Sequence, residues 1–154
     1  MDVARVYDIP ADLATGFEEF DYFDLFAATS PEALSRSPEH WARATMEGAN
    51  RAGRFLAWQT VLRLRLRLAD TADSIAGWQV IERTESSIVM SATSWCMTAH
   101  AVFHVAPDRV SFGVFVTYHR PAGRLIWGTM VSAVHRTLAP GFLAAGVRRV
   151  EVAA

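Results

Sequence analysis

The stretch "WQVIERTESSIVMSATSWCMTAHAVFHVAPDRVSFGVFVTYH", residues 78–119, decides the fold. It divides into four runs of strand character: "WQVIER", "SSIVMSA", "WCMTAHAVFHV" and "VSFGVFVTYH". Each is short and rich in β-branched and aromatic residues, and "TESS" and "APDR" between them carry turn chemistry. Four consecutive runs joined by short turns form an antiparallel meander. In the third run Trp95, Met97, Ala99, Ala101, Phe103 and Val105 share the apolar face, which is expected to be the inner one. Cys96, Thr98, His100 and His104 fall on the other side, so both histidines are expected to face solvent. They stand about 13 Å apart at the rise of a strand, too far to share one metal ion.

Downstream, "GRLIWGTMVSAVHRTLAPGFLAAGVRR" (123–149) has the spacing of a C-terminal helix. Pro140 is expected to kink or stop it, because a mid-helix proline costs about 3 kcal/mol. On a helical wheel Trp127, Val131, Val134, Leu138 and Phe142 form one stripe about 100° wide, and His135 lies inside it. Upstream, "ADTADSIAG" (69–77) reads as a linker. The paired Ser-Pro-Glu motifs at 30–32 and 37–39 each place serine at an N-cap and proline at the first helical position. The second is expected to open a long helix from about Pro38, interrupted in propensity by Gly48 and Gly53. Within that region "VLRLRLRL" (61–68) alternates leucine with arginine, as a half-buried strand does, yet it follows a run that reads as helix. Aromatics at Phe17, Phe20, Phe23 and Phe26 are spaced by three, which favours helical or turn structure. "VARVYDIP" (3–10) suits a first strand closed by proline.

The order is strand, helices, four strands, long helix. Antiparallel strands with segregated helices define an α+β class, here a curved sheet wrapped around the last helix. At 154 residues the chain is expected to be a single domain, 1–154. Half its residues are hydrophobic (51%) and its net charge is −1, so neither long disorder nor a basic nucleic-acid footprint fits. All 15 basic residues are arginine, which excludes lysine Schiff-base chemistry. One cysteine, Cys96, allows no internal disulfide. With no secretory pattern at the start and no apolar run of membrane length, a cytoplasmic protein is expected.

Residues able to carry chemistry are few. His135, in the apolar stripe, is a candidate acid, base or hydrogen-bond donor. Asp21 and Asp24 in "DYFDLF" serve either as turn and cap residues or as carboxylates held among aromatics, where they gain acid/base capacity. No dinucleotide, Walker, nucleophile-elbow or zincin motif occurs. Neither a cofactor nor a metal site is expected.

"DYFDLF" (21–26), "SPEHWARA" (37–44), "AGRLIW" (122–127) and "HR" (135–136) resemble, in order and spacing, the bacterial domain of unknown function 2867 family. That family looks like a member of the START-like, Bet v 1-like helix-grip superfamily (SRPBCC, polyketide cyclase-like). The resemblance implies a helix-grip fold with a cavity between the sheet and the C-terminal helix. It also implies helix at 61–68, in keeping with the helical run that extends back to Trp41; Arg63, Arg65 and Arg67 are then a solvated face.

In such a fold the ligand-binding walls are expected from Trp58, Trp95, Phe103, Phe115, Trp127 and Val131, with Arg124. The polar points are His135, Asp24 and Tyr22. Such a site suits a small apolar, polyketide-like ligand. Two alternatives stand beside this binding protein. One is a cofactor-independent cyclase, aromatase or isomerase using His135 with Asp24 or Tyr22 as acid and base. The other is an interaction protein with a filled core. A homodimer stays open.

Overall fold

A computed structural model describes residues 2–13, 19–48, 64–66 and 71–153. Trp58, Arg63, Arg67, Phe17 and Gly53 lie outside these residues, as does most of the helix expected to run from Trp41 to 68.

Among the described residues seven strands form one antiparallel sheet: β1 (Val3–Val6), β2 (Tyr22–Thr29), β3 (Ser74–Ile75), β4 (Trp78–Arg83), β5 (Ser87–Thr93), β6 (Met97–Ala106) and β7 (Arg109–Tyr118). Their order across the sheet is β1-β2-β7-β6-β5-β4-β3. The meander of 78–119 supplies β4 to β7. Ala76 and Gly77 both take positive φ (50° and 88°), as the tight β3–β4 hairpin requires. Helix α1 (Pro38–Met46) opens on Ser37, whose side chain accepts from the His40 N–H, with Pro38 in the first turn. A helical run over 121–153 closes the fold: α2 (Pro121–Ile126), a π-helical turn (Trp127–Val131) and α3 (Ser132–Ala153). One face of the sheet packs against α1 and α3, burying Trp41, Met46, Phe103, Leu143 and Val147 in one cluster. This is the helix-grip α+β arrangement. Among the described residues no helix is long and apolar enough to cross a membrane.

Several expectations need correction. The segment with aromatics every third residue is not helical, because Tyr22–Thr29 is a strand. Three is an odd number, so Phe23 and Phe26 point to opposite faces, and both faces are covered. Phe26 joins the inner core, while Phe23 packs on a smaller outer cluster of Leu13, Leu25, Val89, Val102 and Phe115.

The helix from Pro38 is short, ending at Met46. A Cβ on Gly48 would stand 2.5 Å from the Ala44 carbonyl and 2.8 Å from Arg149 Nη1, so the chain leaves the helix where the C-terminal helix comes close. Residues 64–66 are neither helix nor strand. The Arg65 N–H donates to the Thr93 carbonyl at 2.9 Å, and Leu64 is buried while Arg65 is exposed.

The outer face of β6 is only partly open to solvent. His104 is buried and meets Asp12 of the N-terminal segment at 3.0 Å. His100 is half-buried. Cys96 is buried with the inner core, and its carbonyl accepts from the His119 and Arg120 N–H groups. A Cβ on Gly123 would stand 2.5 Å from that same carbonyl, so only glycine lets the helix start pass so close.

Pro140 does not stop the last helix, which runs through it to Ala153. The expected stripe is also re-phased. In the π turn the Ser132 N–H reaches back five residues to the Trp127 carbonyl, which inserts one residue into the helical count. Beyond it Ser132, Ala139, Leu143, Gly146, Val147 and Val150 face inward, and Val134 and Leu138 are exposed.

Candidate functional site

Strand alternation places Tyr22, Asp24 and Phe26 on the inner face of β2, and β1 lays Arg5 opposite Phe26. The Asp24 side chain has no exposed surface. Among the described residues three groups meet it there. Arg5 Nη2 donates to Oδ1 at 2.6 Å, the Tyr22 hydroxyl donates to Oδ2, and His135 Nδ1 lies 3.4 Å from Oδ2. The last distance exceeds the roughly 2.6–3.2 Å of a proton-transferring contact. Around them stand aromatic rings. Trp127 is 5.7 Å from His135 and 5.7 Å from Tyr22 between centroids, and Phe26 and Phe112 are each 6.3 Å from His135.

The electrostatics follow from this packing. Burial opposes ionisation of Asp24, but the contacts with His135, Tyr22 and Arg5 outweigh it and hold the carboxyl below its ordinary range. Tyr22 is pushed well above the usual phenol range, by burial first and then by its bond to the Asp24 carboxylate. At neutral pH the pair is therefore a neutral phenol donating to a carboxylate. With Nδ1 turned to Asp24, His135 Nε2 has no partner among the described residues. Trp127 Nε1 is buried, also with no acceptor among the described residues. A buried donor left so costs about 1–3 kcal/mol.

The structure thus brings together His135, Asp24, Tyr22 and Trp127. Phe103 lies on the same inner face, 4.9 Å from Phe112, and Val131 is half-buried against that core. Other expected site residues are elsewhere. Phe115 faces the outer cluster, because β7 alternates and Phe112, Val114 and Val116 take the inner side. Trp95 sits in the β5–β6 turn, exposed beneath the Arg120 guanidinium at 5.9 Å. Arg124 is exposed, stacked on Tyr118 at 5.3 Å with Asp21 at 3.8 Å. Asp21 takes turn duty, its carboxylate accepting from the Tyr118 N–H. A surface hollow of about 380 Å³ lined by Glu19, Phe20, Asp21 and Thr117 is separate from the Asp24 cluster.

Sequence reasoning missed Arg5, Phe26 and Phe112. A lone arginine inside the apolar run "VARV" was the available signal for Arg5; its partner, nineteen residues away, was not legible.

No family model matches the chain, so the narrower resemblance to the domain of unknown function 2867 family has no support. No curated protein matches it either. A similar solved structure is the di-domain ARO/CYC BexL from the BE-7585A biosynthetic pathway, at 12% identity and a TM-score of 0.40. The match covers 82% of this chain and 49% of that one, so this chain spans about half its length. A likeness this distant decides neither the fold nor the chemistry. The helix-grip arrangement rests on the strand order and the C-terminal helix described above.

Proposed function

We propose that this protein binds a small, largely apolar molecule between the inner face of β2 and the C-terminal helix, oriented by His135, Tyr22, Asp24 and Trp127. The observation that carries the reading is the buried Asp24 carboxyl, met by Arg5, Tyr22 and His135 among aromatic rings, beside a buried indole N–H that lacks an acceptor among the described residues. Apolar walls with a few convergent polar groups are how small-molecule sites are built. The π-helical turn that carries Trp127 adds weight, since such turns concentrate at functional sites.

A second reading is a cofactor-independent cyclase or isomerase, supported by a phenol, a carboxylate and an imidazole in one cluster. The 3.4 Å approach of His135 to Asp24 leaves it second to binding.

Native mass spectrometry of the purified protein, followed by calorimetric titration with 2-naphthol as an apolar probe bearing one hydroxyl, tests the proposal. Binding is expected, and His135→Phe should keep the fold while weakening it by about 1–3 kcal/mol, the cost of a lost buried partner. Absence of both a co-purified small molecule and probe binding would refute the reading and favour a filled core. Unchanged affinity in His135→Phe would remove His135 from the site.

A further inference from the structure

The charges around the Asp24 cluster do not cancel. Arg5 and Asp24 neutralise one another across 2.6 Å. The Tyr22 phenol carries no charge while it donates to Asp24, and the His135 imidazole is either neutral or positive. A further cation stands beside them. Arg136 follows Ser132 by four residues and precedes Ala139 by three, and both of those are buried, so it leaves the helix on the inward side. Its Nε donates to the Ser132 carbonyl at 3.2 Å, and its Nη2 lies 3.5 Å from the Ser132 hydroxyl. Both partners are uncharged, and among the described residues no carboxylate pairs with this guanidinium. Its charge acts on the Tyr22 hydroxyl, as that of Arg5 does. Arg136 is exposed, so it stands at the rim of the cluster.

Trp127 makes a second, separate observation. The residue is 2% exposed, and its ring borders the same phenol, 5.7 Å from the Tyr22 ring. Its Nε1–H is buried with no acceptor among the described residues. An indole nitrogen only donates, so the group it lacks is an oxygen or another acceptor. Phe26, Phe112 and His135 stand close by, and an acceptor reaching this place has to come on an apolar body.

An orphan donor asks for an oxygen, and a surplus cation asks for a negative charge. A carboxylate supplies both, whereas a ketone or an alcohol supplies only the oxygen. A phosphate monoester brings up to two negative charges where one cation is unmatched, and the Asp24 carboxylate stands near. We infer that the ligand of this site is an apolar carboxylic acid bound as its anion, with a carboxylate oxygen accepting from Trp127 Nε1 and Arg136 supplying the compensating charge at the rim. The assignment rests on the small-molecule site proposed above and names the head group that the site selects.

Calorimetric titration of the full chain at neutral pH with 2-naphthoate, its methyl ester and 2-naphthyl phosphate tests it. The naphthoate should bind about fivefold tighter than the ester, the margin of a charge-assisted over a neutral hydrogen bond. Added salt should narrow that margin, because Arg136 is exposed. Arg136→Gln should erase it, and the fold should persist for the same reason. Trp127→Phe keeps an aromatic wall without the N–H and should lower naphthoate affinity about tenfold. Should Trp127→Phe fail to fold, Arg136→Gln still decides. Equal or tighter binding of the ester, a margin that survives Arg136→Gln, or tighter binding of the phosphate would overturn the inference and leave the small-molecule site standing. Failure of all three probes and of 2-naphthol would overturn the site itself, and the inference with it.

Discussion

Asp24→Asn isolates the charge at the centre of the cluster while keeping the shape of the side chain. Asparagine retains one oxygen for the Tyr22 hydroxyl, but it cannot answer the Arg5 cation, and its amide group meets other donors. A hydrogen bond to a charged group contributes about 1.5–3 kcal/mol. Arg5 is 33% exposed, so solvent screens its share. The net loss should be about 2–3 kcal/mol, below the roughly 3–5 kcal/mol of a fully buried pair losing one member. For a chain of this size that lowers the thermal midpoint by about 4–12 °C. The loss should also depend on pH. The folded pKa of Asp24 lies below its ordinary 3.8, so its contribution is complete above that value and disappears as pH falls through the folded pKa. Urea unfolding of both proteins from neutral pH downward measures the gap, which should be widest at neutral pH and close at acid pH. A gap under about 0.5 kcal/mol at neutral pH, the scale of an ordinary surface change, or one that stays constant into acid, would refute the assignment of Asp24 as a buried, ionised centre.

Tyr22→Phe removes the phenol donor and should cost about 1.5 kcal/mol at neutral pH. Combined with Asp24→Asn, the two losses should sum to less than their separate values in a double-mutant cycle, since they share one bond. Gly146→Ala should destabilise by about 1–3 kcal/mol in denaturant melts, because the new Cβ would stand 2.0 Å from Thr45 Oγ1 and 2.8 Å from the Thr45 backbone. Thr45→Ala should relieve only part of that clash, as the backbone of α1 stays in place. Arg65→Gln should leave the stability within about 0.5 kcal/mol, as expected of an exposed side chain.

The α+β class, the antiparallel meander and the C-terminal helix were legible because each rests on local signals. Turn residues separate β-branched runs at 78–118, and Ser37-Pro38-Glu39 announces α1 within three residues. The Asp24 cluster was legible in part. His135, Asp24 and Tyr22 stood out as the few ionisable groups among apolar neighbours. Arg5 did not, because its role comes from pairing β1 with β2, and a pairing partner is not written in the local pattern.

Other readings failed where a face is covered by something distant in the chain. His104 has the parity of an outward residue and is outward, but the N-terminal segment packs over it and supplies Asp12. The aromatics of 20–26 alternate between two covered faces, so their spacing resembles a helical one. The wheel of 127–142 assumed 3.6 residues per turn throughout, and the π turn at Trp127–Val131 shifts every later residue by one place.

Composition and local periodicity thus determined the elements and their order. Tertiary packing decided which faces are buried and where the last helix changes phase. It also decided which three side chains meet at Asp24. Local propensity acts within a few residues, whereas burial and charge pairing join residues as far apart as Arg5, Asp24 and His135, which meet only once the sheet has closed on the helix.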